Sequence, residues 1–304
     1  MLEEVVGFLD PSPGKIYLDG TVGTGGHAEA LLERSAPTGR VIGIDTDAET
    51  IEIARQRLAP FADRTVLVHG RYEQAREILS RYGLSRVHGA LLDLGISRVQ
   101  LDSPERGFSF TRQGPLDMRM DRSSGTPASR LLADLPEDRL AHLFRRYGEE
   151  RWAGRIARSI ARRRVERGGF STTGDLVQAV LAAIPRQAGR TRIHPATRVF
   201  MALRIAVNRE LEALEGFLAD LPDLLYQGAR CCVLSFHSLE DRIVKQRFRV
   251  LEKGVVPTEA PVAEERRTSP LFRQVRRKVL RPREEEISRN PLARSARLRI
   301  VERL

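Results

Sequence analysis

The chain has 304 residues, 41% of them hydrophobic, and a formal net charge of +11 from 51 Lys and Arg against 40 Asp and Glu. That is ample material for a packed core and excludes a disordered chain, while no apolar run approaches the ~20 residues of a membrane span. The first ten residues hold three acids and no base, so no leader peptide is expected and the reading is cytoplasmic, with no membrane partner.

The positive charge is mostly arginine, which forks onto phosphate and stacks on bases, so a polyanionic partner is expected. GC-rich codon usage explains arginine in place of lysine but not the excess over acids. Cys231 and Cys232 are neighbours in an apolar stretch. That fits a buried strand in a reducing compartment, and an adjacent pair is no zinc site, so no metal is expected.

In chain order, 16–18, 41–44, 65–68 and 87–92 read as buried parallel strands, with helices over 27–34, 48–58 and 73–82 between them. Repeated β-α units with short loops predict a doubly wound, Rossmann-like sheet. From 102 to about 130 the chain turns repeatedly, with Ser103-Pro104, Arg106-Gly107, Gly114-Pro115 and Ser124-Gly125. Helices without strands follow. One is expected over 137–167, broken near Gly148; one starts after Thr172, which forms a capping-box pattern with Asp175; a long one runs over 195–219. Sheet-like sequence returns at 230–235, followed by a helix over 239–250 and a polar, mobile loop to about 269. The runs 274–281 and 296–301 predict an antiparallel last strand pair. The expected organisation is a sheet domain from 1–102 and 201–304, interrupted by an all-helical insert at 103–200.

A glycine-rich turn, Asp19-Gly20-Thr21-Val22-Gly23-Thr24-Gly25-Gly26-His27, follows the first strand and precedes a helix. Glycines there allow a sharp turn and a close backbone approach to a ligand at a helix N-terminus. Asp45 closes the second strand about 20 residues later, placed to accept bonds from ribose hydroxyls. NAD and S-adenosylmethionine both suit that arrangement. The spacing is not a clean G-x-G-x-x-G, the sheet ends in an antiparallel pair, and the fourth strand ends in the polar tip Asp93-Leu94-Gly95-Ile96-Ser97. Those features favour S-adenosylmethionine. A non-catalytic RNA-binding factor would leave the turn and Asp45 idle, and an NAD oxidoreductase would leave the arginine-rich insert unexplained.

Several stretches go further. The glycine-rich turn, Asp45-Thr46-Asp47, Leu91-Leu92-Asp93-Leu94-Gly95-Ile96-Ser97, Glu105-Arg106-Gly107-Phe108-Ser109-Phe110, Gly114-Pro115-Leu116-Asp117-Met118-Arg119-Met120-Asp121, His194-Pro195-Ala196-Thr197-Arg198 and Ser235-Phe236-His237-Ser238-Leu239-Glu240 resemble the RsmH (MraW) family over nearly the whole chain. The resemblance implies a class I methyltransferase that methylates the N4 amino group of a cytidine in the decoding region of 16S ribosomal RNA, on the small ribosomal subunit. It implies cofactor contacts at Gly25, Gly26, His27, Asp45, Tyr72, Asp93 and Gln100. A homodimer is left open. Three departures stand out: a His-x-Pro-Val segment before Leu2 has no counterpart, Ser97-Arg98-Val99-Gln100 replaces Ser-Ser-Pro-Gln, and Met201 stands where glutamine is common.

The cytosine amine is a poor nucleophile because its lone pair is delocalised, so the site must orient it and accept its hydrogen bonds as it pyramidalises. Asp93, Ser97, Asp117 and His237 are the candidate catalytic residues. Phe108 or Phe110 is the candidate for stacking on a flipped base, and the cluster Arg145, Arg146, Arg155, Arg158, Arg162, Arg163 and Arg164 for phosphate contact, with the last three chosen to test it. His194 reads as a helix cap, and Phe144 and Trp152 as core. The turn-rich stretch is expected to wall the flipped base and to become ordered only against a folded substrate, giving activity on small subunits and not on free cytidine.

Overall fold

The computed structural model describes residues 1–185, 194–256, 266–267 and 269–304. They form two compact units, Met1–Gly95 with Leu211–Leu304, and Ile96–Glu210. The helical unit thus begins at Ile96 rather than 103 and extends to Glu210 rather than 200. Ile96 and Val207 pack against its core cluster, which is why the boundary falls outside the turn-rich run.

The first unit opens with α1 (Leu2–Leu9), β1 (Ile16–Asp19), α2 (Gly26–Arg34), β2 (Arg40–Asp45), α3 (Ala48–Arg57), β3 (Thr65–His69), α4 (Ala75–Arg81) and β4 (Val87–Asp93). The second holds α5 (Arg98–Asp102), α6 (Ala128–Asp134), α7 (Glu137–Gly148), α8 (Ala153–Arg167), α9 (Thr173–Ala183) and α10 (Ala196–Asn208). Then come α11 (Glu210–Leu224), β5 (Leu225–Ser235), α12 (Ser238–Lys253), the short pair β6 (Val255–Val256) and β7 (Arg266–Arg267), β8 (Phe272–Gln274), α13 (Glu284–Arg289) and β9 (Arg297–Arg303).

The main sheet has seven strands in the order β3-β2-β1-β4-β5-β9-β8. β1 pairs in parallel with β2 and β4, and β9 runs antiparallel to both β5 and β8. This is the mostly parallel, class I arrangement with an antiparallel end. Side chains alternate between faces, so Leu18, Ile42, Leu92 and Val233 join one core, while Tyr17, Val41, Leu91 and Leu234 join the other. Cys231 and Cys232 fall on opposite faces for the same reason; both are buried free thiols, and burial pushes both up.

Three expectations change. The run 195–219 is two helices, because Arg209 takes a left-handed φ of 52° as the C-cap of α10. The Asn208 side chain before it bonds Met118 O and the Met120 N–H, so a tertiary contact sets the break. The run 274–281 is a strand only at Phe272–Gln274, plus a single bridge from Leu280 to Leu298, since the Arg276-Arg277-Lys278 run is exposed. The polar loop before 269 falls mainly on 257–265 and 268, outside the described residues. The break near Gly148 is present, and a Cβ there would meet Arg198 O at 2.7 Å, so glycine lets α7 and α10 approach closely. Among the described residues no helix is long and apolar enough to cross a membrane.

Candidate active site

Because β2, β1 and β4 are adjacent and parallel, their last residues, Asp45, Asp19 and Asp93, end at the same edge of the sheet. The glycine-rich turn crosses this edge and is stitched to both neighbours. Gly20 N–H donates to Leu91 O, Val22 N–H to Ile44 O, and Asp93 N–H to Thr21 Oγ1 at 2.6 Å. Gly25 caps α2 with φ 87° and no side-chain cap, leaving the first amides of the helix facing the turn. A Cβ on Gly20 would strike Leu92 Cδ2 at 2.5 Å. The turn has no room for another residue there.

The three carboxyls are unequal. Asp19 is 1% exposed, accepts the Thr21 N–H with Oδ1, and leaves Oδ2 buried with no partner among the described residues. Burial, opposed by that bond and reinforced by the charges of Asp93 and Asp45, pushes it up to about 8. Burial also raises Asp93, whose Oδ1 is buried and unpartnered and whose Oδ2 lies 3.6 Å from His27 Nδ1. Asp45 is raised by burial too, but bonds from Asp47 N–H at 2.9 Å and Gly23 N–H at 2.8 Å pull it back. Burial holds His27 below the ordinary imidazole range, with Asp93 opposing. Among the described residues Asp19 and Asp93 each leave one oxygen unsatisfied in this corner, and burial makes all three carboxyls resist ionising there. A cation would relieve that resistance, whereas a dinucleotide pyrophosphate would aggravate it. The amides of α2 suit a carboxylate beside that cation. This donor set fits S-adenosylmethionine, which carries a sulfonium, an ammonium and a carboxylate. Asp19 escaped the sequence reading as a site residue; the readable signal was an acid ending a buried strand directly before the glycines.

The other candidates are placed as follows. Gly25, Gly26, His27 and Asp45 share this corner, and Tyr72 adjoins it, its Cβ 3.1 Å from where a Cβ on Gly20 would lie and its ring edge-on to Phe217. His237 is the N-cap of α12: its Nδ1 accepts the Glu240 N–H, and Glu240 accepts the Phe236 and His237 amides. That is a capping box, which occupies the imidazole lone pair.

In the helical unit, Ser97 and Gln100 cap α5 reciprocally: Ser97 Oγ accepts the Gln100 N–H at 3.2 Å, and Gln100 Oε1 accepts the Ser97 N–H at 3.0 Å. This box fixes the turn that the family's proline would otherwise stiffen. Gln100 is buried beneath it. Asp117 is gripped by Arg119 through Nε at 2.7 Å and Nη2 at 3.0 Å; burial raises its carboxyl, but the Arg119 bonds outweigh this and hold it below the usual range. Phe108 is a core residue of the unit, beneath the Arg106 guanidinium, and so presents no face for a base. His194 Nδ1 accepts the Ala196 N–H at the start of α10, and Phe144 is core. Trp152 packs partly on the core with its ring beside two arginines.

The arginine triplet divides. Arg162 is 66% exposed, but Arg163 is 15% exposed and paired with Asp175 at 2.5 Å. Arg164 has buried Nε and Nη2 atoms with no partner among the described residues, and burial pulls its pKa down. Three consecutive residues sweep ~200° of a helix, so they cannot share one solvated face. The turn-rich stretch has bonds of its own within the unit. Arg106 donates to Arg119 O and Met120 O, and Asn208 bridges Met118 and Met120, so it is anchored from within.

A family model described as the MraW methylase family matches residues 1–304. The chain is similar to proteins named "Ribosomal RNA small subunit methyltransferase H". The one from Syntrophobacter fumaroxidans is 49% identical over 305 residues, covering 100% of this chain and 95% of that protein. The one from Geobacter sp. (strain M21) is 48% identical over 303 residues, covering 99% and 96%. The one from Magnetococcus marinus is 49% identical over 308 residues, covering 100% and 97%.

Proposed function

The chain belongs to the MraW methylase family, and on that premise we propose that it methylates the N4 amino group of a cytidine in the decoding region of 16S ribosomal RNA, using S-adenosylmethionine. The observation that carries the cofactor reading is the convergence of Asp19, Asp45 and Asp93 at one edge of the sheet, a carboxyl-lined corner that favours a cationic nucleoside over the pyrophosphate of NAD. When bound, S-adenosylmethionine supplies an electrophilic methyl group on sulfur. The chain's residues orient the amine and accept its proton. Ser97 and His237 are committed to helix caps and Asp117 to Arg119, which leaves Asp93, with an open oxygen and a carboxyl raised by burial, as the acceptor.

Methyl transfer from labelled S-adenosylmethionine to purified small subunits, mapped to a nucleotide, tests the proposal, with calorimetry of S-adenosylmethionine against NAD alongside it. The label should appear on a cytidine N4 and NAD should not bind. NAD binding, or RNA binding with no response to S-adenosylmethionine, would overturn the reading.

Asp45 has two duties, bracing Gly23 and Asp47 and facing the ribose. Asp45→Ala should weaken S-adenosylmethionine more than about tenfold, the loss of a charge-assisted bond worth ~1.5–3 kcal/mol. Unchanged affinity in calorimetry would confine Asp45 to its bracing role.

A further inference from the structure

Helix α8 buries Ala153, Ile156, Ala157 and Ile160 in the core of the helical unit. Its outward side carries Arg155, Arg158 and Arg162, and Arg151 stands in the turn just before the helix, all exposed. At ~100° per residue the three helical arginines lie within about 60° of one another, and at ~1.5 Å per residue they span roughly 10 Å. Two of them stand 79% and 66% clear of the protein, Arg158 and Arg162. Among the described residues their ion-pair partners are Glu137 at 3.5 Å and Glu166 at 3.8 Å, both themselves solvated, and such pairs contribute little. Arg145, from the last turn of α7, runs alongside: a Cβ on Gly154 would meet its Nη2 at 3.4 Å. Glycine at 154 leaves space for that fifth guanidinium.

The start of the stripe is pre-arranged. The Arg151 and Arg155 guanidiniums lie 4.7 and 5.4 Å from the centroid of the Trp152 ring, which is itself seated against the core. Cation–π contact with an anchored indole restricts two otherwise flexible side chains and leaves their N–H edges available. A solvated helix face that served only solubility would mix charges throughout; from 151 to 162 this one carries arginine and no acid, with Glu166 following one turn later.

We propose that this stripe of α8 is a phosphate-tracking surface, which holds one strand of the substrate RNA along its sugar–phosphate backbone without reading its bases. Its helical part matches about three positions of a stacked strand at roughly 3.4 Å each, and Arg151 extends the line at its start. The inference rests on the reading of the substrate as RNA. It narrows the contact from the wider arginine cluster to a periodic line, leaving out Arg163 and Arg164 and adding Arg151.

The test uses the full chain and a fluorescein-labelled hairpin RNA, with the dissociation constant measured across a KCl series. Each lost phosphate contact should flatten the log–log salt dependence by about 0.7–0.9. Arg158→Ala with Arg162→Ala should therefore lower the slope by about 1.4–1.8 units and weaken binding by roughly tenfold at ~0.1 M salt. The double variant Arg55→Ala with Arg81→Ala, which removes two exposed arginines from the first unit, should leave the slope unchanged. Calorimetry with S-adenosylmethionine should not distinguish the variants from wild type. An unaltered slope in the stripe variant, or an equal fall in the control, overturns the proposal. Wild-type methylation of small subunits with an unaltered stripe slope removes the stripe alone. Failure of wild type to bind S-adenosylmethionine strikes the functional reading instead, whatever the slope does.

Discussion

Asp19→Asn should weaken S-adenosylmethionine binding by ten- to a hundredfold and, at the same time, remove a pH-dependent weakness from the cofactor-free protein. In the folded chain Asp19 is pushed from an ordinary 3.8 up to about 8. Between those values the folded protein keeps a proton that the unfolded chain has released. The contribution of this group to stability is therefore fully present below pH ~4, declines by about 1.4 kcal/mol per pH unit, and is lost as pH passes ~8. Asparagine keeps the shape and the acceptor for the Thr21 N–H but cannot ionise. The difference in denaturation free energy between wild type and variant should thus grow with pH across that window, in favour of the variant. The cofactor reverses the sign of the preference. A bound cation favours the ionised carboxyl, so wild type should release a proton on binding below pH ~8, visible as a dependence of the calorimetric heat on buffer ionisation enthalpy. Asp19→Asn should release none from this site. Equal affinities, together with no wild-type proton release, would end the reading of the corner as a cation site.

The same residue shows where the sequence stopped being informative. The glycine turn, Asp45 and the strand tips were legible because backbone geometry imposes local patterns: a tight turn needs Gly25 at positive φ, and a parallel strand buried on both sides reads as an apolar run. What Asp19 does depends on Asp93 and Asp45, which lie 74 and 26 positions away in the sequence and meet only through the strand order. The arginine-rich insert failed differently. Its charge was read as one cluster from Arg145 to Arg164, though helical periodicity already separated Arg155, Arg158 and Arg162 from the inward Arg163 and Arg164. The break between α10 and α11 was beyond local reading, since Arg209 has no glycine-like signature and the bonds that fix Asn208 come from 88 and 90 residues away. His237 and Ser97 carried plausible chemistry, yet each also sits three residues before a Glu or Gln, the spacing of a capping box, and the structure realises the cap.

Arg106→Met should uncouple substrate methylation from cofactor binding. Arg106 is 1% exposed, and its Nη2 donates to Arg119 O at 3.2 Å and Met120 O at 2.8 Å, while its own carbonyl accepts the Met118 N–H at 2.9 Å. Met118 is buried and held at φ 64°, a left-handed conformation that a side-chain-bearing residue adopts only when its surroundings over-determine it. Asn208 supplies the second constraint, donating Nδ2–H to Met118 O and accepting the Met120 N–H, each at 2.8 Å. Methionine fills much of the arginine's volume but leaves two part-buried carbonyls without their donor. At ~1–3 kcal/mol for each fully unsatisfied group the ceiling is about 6 kcal/mol, and partial solvation brings the loss to about 2–4 kcal/mol, concentrated in the segment that aims Asp117 and Arg119. Met118 should then relax out of its strained backbone. Hydrogen exchange at the amides of Met118 and Met120 should accelerate strongly, and methylation of small subunits should fall by more than tenfold. S-adenosylmethionine affinity should hold, because the cofactor residues Asp19, Asp45 and Asp93 all belong to the other compact unit. Wild type should already protect these amides before any RNA is added, which separates a preformed wall from one that the substrate must order. If wild-type protection appeared only with RNA, or if the variant kept both its protection and its turnover, the internal anchoring by Arg106 would not be what shapes this segment for its substrate.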